Sequence, residues 1–135
     1  MPDPAVLTHA FATRGCTQED APALEIYLTP SAYDGATDPT PPYLRFEISA
    51  SPTEDLSNLS LELQPLRRSG GATKIARAEW VTAPRNSTFL SGTLNLEKAL
   101  PGSQIAGRYQ LITPNGQHLN QSFQAPWPTK SSVCG

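Results

Sequence analysis

Apolar and polar residues alternate with a period of two along much of this chain. Leu44, Phe46 and Ile48 fall on one parity, with Arg45 and Glu47 on the other. Leu59, Leu61 and Leu63 alternate in the same way with Ser60, Glu62 and Gln64. Such alternation sends successive side chains to opposite faces, so each segment predicts a strand with one buried and one wet face. Leu24, Ile26 and Leu28 predict an earlier strand. Ala76, Ala78 and Trp80 predict one over 74–82, with Arg77 facing away from Trp80, and Leu90, Gly92, Leu94 and Leu96 predict another over 88–96. The last two strands, 105–113 and 118–127, flank Pro114-Asn115-Gly116, a run in which proline presets φ and Asn-Gly accepts left-handed conformations.

The breaks between these runs are written in turn residues. Residues 30–42 form a long Pro/Thr/Asp/Gly loop, and 51–55 form a turn. Arg67 to Ala72 reads as a hairpin loop, and 97–102 as one short helical turn. Residues 1–22, with Pro2, Pro4, Pro22 and the pair Glu19-Asp20, read as a flexible leader, leaving 23–135 as a single β domain. The fold class expected is all-β: a small antiparallel β-sandwich of about seven strands and immunoglobulin-like size, or a small β-barrel. Composition agrees. The 14 prolines in 135 residues cut the chain into short pieces, and the charged fraction of 16% leaves little of the vocabulary of long helices.

Charge narrows the partners. A net charge of -2 argues against nucleic-acid binding. The balance is uneven: residues 1–62 carry ten acidic and two basic side chains, and residues 63–135 carry two acidic and eight basic. Either the fold has an acidic and a basic face, or strands from the two halves interleave and the charges mix. Arg67, Arg68, Lys74 and Arg77, with Arg85 beyond, make the densest basic stretch. They are the candidate contact for an anion or partner, an acidic protein surface or a second copy of the chain. No apolar run reaches the roughly 20 residues of a membrane helix. No signal peptide is visible, so localisation is unassigned, although the composition leans toward an extracytoplasmic β domain.

Catalytic chemistry is thin. His9 and His118 belong to no metal-ligating spacing, and no Gly-x-Ser-x-Gly elbow occurs. The acidic pairs Glu19-Asp20 and Glu54-Asp55 read as turn residues, and Asp34 to Asp38 lacks the spacing of a calcium loop. No cofactor is expected. Trp127, between Pro126 and Pro128, reads either as the closing residue of the core or as an exposed platform of the kind that sugar-binding β modules display. Cys16 and Cys134 bracket the predicted core; they are either a disulfide clasp joining the termini or two unrelated thiols. Asn58, Asn86 and Asn120 begin Asn-x-Ser/Thr sequons.

The sequence names no activity. The function expected is a non-catalytic binding or protein-interaction module. The alternatives are a small enzyme with a loop-built carboxylate site and a structural subunit that assembles through sheet edges.

Overall fold

The computed structural model describes residues 7–16, 21–33, 39–51, 53–63 and 76–128. These form eight strands and, among the described residues, no helix: β1 (His9–Cys16), β2 (Pro22–Thr29), β3 (Tyr43–Ser49), β4 (Leu59–Leu63), β5 (Ala76–Ala83), β6 (Asn86–Ala99), β7 (Gln104–Ile112) and β8 (His118–Pro126). All eight belong to one sheet in the order β1-β2-β3-β5-β4-β6-β7-β8, with β5 also pairing β6. The sheet curls until its terminal strands β1 and β8 face each other, which makes a nearly closed barrel. The all-β expectation holds.

The alternating residues point inward as their periodicity requires. Leu44, Phe46, Ile48, Leu61, Leu63, Leu94, Leu111 and Phe123 are buried, and Leu59 packs half-buried at the margin. Phe46 of β3 crosses the interior to meet Tyr109 of β7 at 5.4 Å and stacks on Phe123 of β8 at 6.2 Å. These three rings fill the middle of the barrel, and each fully buried large apolar side chain stabilises by roughly 1.5–3 kcal/mol. Ala76, Ala78 and Trp80 are all buried along β5.

The long strand β6 turns the corner. Its first half pairs β5 up to Leu90, and its second half pairs β4 from Gly92 onward. Gly92 sits at the switch with φ of 142°, and a Cβ there would lie 2.0 Å from the Gln110 carbonyl oxygen. Only glycine allows both this φ and this approach of β6 to β7.

Three expectations are corrected. Residues 9–16, expected within a loose leader, form β1 in full antiparallel register with β2. The helical turn expected from Glu97 is instead the end of β6, which continues to Ala99 through a register shift between Leu96 and Lys98. Finally, β4 and β5 do not form a hairpin. Among the described residues they pair in parallel at Leu63 and Ala76, while β4 runs antiparallel to β6. A parallel pair needs a connection of about a dozen residues rather than a tight turn, which suits the distance from Leu63 to Ala76. The hairpin loop expected at Arg67 to Ala72 lies in that connection, outside the described residues.

Candidate functional site

The outer face of β1, β2, β3 and β5 differs from an ordinary wet sheet face. The register aligns Phe11, Tyr27, Arg45, Glu79 and Phe89 in one row across five strands, and Glu25, Glu47 and Arg77 in the next. Arg45 is the hub. Its Nε donates to Glu25 Oε1 at 2.9 Å, and its Nη2 bonds both Glu25 and Glu47, the latter at 2.8 Å. Nη1 lies 3.5 Å from Glu79. Burial draws the Arg45 pKa down, but Glu25 and Glu47 more than offset this and leave it raised.

Arg77 donates to Glu47 Oε1 at 3.0 Å and lies over the Phe89 ring at 5.3 Å. Three carboxylates thus surround two guanidinium groups, with no side chain in the ion-pair network more than 21% exposed. Arg45 and Glu47 come from the acidic half of the sequence, and Arg77 from the basic half. The interleaving of β2, β3 and β5 mixes the charges here.

Beside this network lies a cluster of rings. Tyr33, just beyond β2, meets Phe11 at 5.2 Å and Tyr27 at 5.4 Å, both edge-on, and Tyr27 meets Tyr43 at 5.8 Å. Tyr27 is buried, whereas Phe11, Tyr33 and Tyr43 are half-buried. Burial and the nearby Glu25 carboxylate push the Tyr27 pKa up to about 12. Sequence periodicity registered only the inward residues of these strands. The signal available for the outer face was the odd parity of Phe11, Tyr27 and Tyr43, visible only once the register of β1, β2 and β3 is known.

Of the basic residues singled out from the sequence, Arg77 is held by Glu47 on this face; Arg67, Arg68 and Lys74 lie outside the described residues. Cys16, half-buried, ends β1 opposite Pro22; Cys134 lies outside the described residues, as do Glu19-Asp20 and Asp34 to Asp38. Asp55 accepts from the Ser57 backbone N–H at 2.8 Å, which lowers its pKa and gives it a turn-forming role. Arg14 points inward from β1 and donates to the Ala50 carbonyl at 2.6 Å; burial lowers its pKa, partly offset by Glu54. Among the described residues, no three His, Cys, Asp or Glu side chains gather as a metal site, and no helix is long and apolar enough to cross a membrane.

The fold is therefore that of a small, nearly closed β-barrel with an aromatic and ion-paired outer face. Comparison with known proteins finds no matching family, no similar curated protein and no similar solved structure. The functional reading rests on this chain's own geometry.

Proposed function

We propose that this chain is a non-catalytic binding module that meets another protein through the aromatic outer face of β1, β2 and β3. The observation that carries this reading is the linked cluster of Phe11, Tyr27, Tyr33 and Tyr43, with three of its four rings half-buried. Tyrosine rings offer large contact area at small conformational cost and are enriched at protein interfaces. The ion pairs beside them order the rim, since Arg45 is held from three directions before any partner arrives. Acids in this network are occupied by arginines, which favours recognition over acid-base chemistry. The facing of β1 and β8 across the seam favours a face contact over assembly through those two edges.

Affinity enrichment from the source organism tests the reading, using the wild-type chain and a Tyr33→Ser/Tyr43→Ser variant of matched stability. A partner recovered by the wild type and lost by the variant supports it. Equal recovery by both, or recovery of nothing, contradicts it. If the partner is a second copy, sedimentation gives a dimer for the wild type alone. The Cys16–Cys134 clasp belongs to the same proposal: closing so long a loop stabilises by roughly 2–4 kcal/mol, and a reductant then lowers the melting temperature.

A further inference from the structure

The β6–β7 turn and the end of β8 line an open groove of about 520 Å³. It is lined by Gly102, Ser103, Gln104, Pro126, Trp127 and Pro128. None of these residues carries a charge. The groove is held by backbone bonds, with Ser103 N–H donating to Leu100 O at 2.9 Å and Trp127 N–H donating to Ser103 O at 3.1 Å. Gln104 is in register with Pro126 across β7 and β8. Two prolines with fixed φ flank Trp127, whose half-buried indole packs on the core with part of its surface in the groove.

We infer that this groove binds the ring of a neutral sugar within an oligosaccharide. The lining matches that chemistry in three respects. Among the described lining residues none is charged, so they favour neither an anion nor a cation. A single indole wall presents one apolar face about the size of one pyranose ring, whose C–H face packs on it. The Ser103 hydroxyl and the Gln104 amide can each donate and accept, and the Trp127 indole N–H can donate, to the hydroxyls of a sugar ring. A proline-rich peptide is a poorer match, because such peptides dock between several aromatic walls and here there is one. The site is separate from the tyrosine face and independent of it.

Tryptophan fluorescence tests the inference directly, because Trp80 is buried at 2% exposure and Trp127 is the tryptophan in contact with the groove. Titration with soluble cello- and malto-oligosaccharides should change the emission saturably for at least one series. Trp127→Ala, which removes the fluorescent reporter and is therefore followed by isothermal titration calorimetry, should weaken binding by about tenfold or more, equivalent to roughly 1.4 kcal/mol. Because Trp127 also packs on the core, Gln104→Ala serves as the second variant. It should weaken binding several-fold at unchanged melting temperature, read by calorimetry. Tyr33→Ser should leave the titration unchanged, which separates this site from the tyrosine face. No saturable response to either series overturns the inference, as does wild-type affinity in both Gln104→Ala and Trp127→Ala. A response to a polyproline peptide but to no sugar overturns it in favour of a peptide groove.

Discussion

The side chain of Gln121 bridges the barrel's seam through Tyr109: its Oε1 accepts from the Tyr109 hydroxyl at 3.0 Å, while its Nε2 donates to the Leu7 carbonyl at 3.2 Å. Gln121 sits directly opposite Tyr109 on β8 and shares its inward face. The amide therefore ties the end of the sheet to the residues that lead into β1. Burial pushes the Tyr109 pKa up to about 12, consistent with a neutral hydroxyl that donates.

Gln121→Ala removes both bonds and leaves a buried hydroxyl without a partner. It should cost about 1–3 kcal/mol in urea denaturation, and Tyr109→Phe about 1 kcal/mol. The two losses should be non-additive in a double-mutant cycle, because they share one bond. Hydrogen exchange should quicken in β1 before β6 and β7. Uniform quickening would mean that Gln121 does not hold the seam.

Arg45→Met leaves Glu25, Glu47 and Glu79 facing one another with only Arg77 to balance them. Breaking a buried ion pair from one side costs about 3–5 kcal/mol, so the melting temperature should fall sharply. Arg108 offers the contrast. It pairs with Glu97 at 3.2 Å with its side chain 60% exposed, so Arg108→Ala should cost about 1 kcal/mol or less. Equal losses would show that the hub contributes no more than a surface pair.

Tyr27 and Tyr109 both hold their protons to about pH 12, above the ordinary 10.0. Between those values the unfolded chain has lost protons that the folded chain keeps. The stability from this difference is present below pH 10 and falls as pH rises toward 12. Absorbance at alkaline pH should show late tyrosine ionisation coincident with loss of β structure. Tyr27→Phe should remove one late-ionising group. Complete ionisation of the folded chain near pH 10 would contradict the burial of both rings.

The inward half of the fold was legible because Leu44, Phe46, Ile48, Leu61, Leu63, Leu94 and Leu111 repeat with the pleat. The hairpin after β7 was legible because Gly116 takes the left-handed φ of 86° that its turn requires. β1 was hidden because its inward positions are Ala10, Ala12 and Arg14, two small residues and a charge, which give no apolar alternation. Its place comes from pairing with β2, a long-range fact. The parallel meeting of β4 and β5 was hidden for the same reason: local turn signals cannot reveal that β4's partner is β6. The tyrosine cluster joins residues from β1, β2, β3 and the segment after β2, and only the register brings them together.

Gly92 and Gly116 separate two kinds of glycine. Gly92→Ala forces a Cβ into the β7 backbone and should destabilise by about 2–4 kcal/mol, from strain and overpacking together. Gly116→Ala meets nothing within 4 Å and should cost only the left-handed penalty of about 1–2 kcal/mol. Denaturation midpoints of the two variants check the order. A tolerated Gly92→Ala would mean that β6 does not turn its corner there.

The most direct test of the proposed interaction face is hydroxyl-radical footprinting of the chain, purified and in an extract of its source cells. Phe11, Tyr33 and Tyr43 should be oxidised in the purified protein and protected in the extract, while exposed Leu100 and Ile112 keep their reactivity. Unchanged oxidation of the three rings, or protection confined to Leu100 and Ile112, would contradict the account.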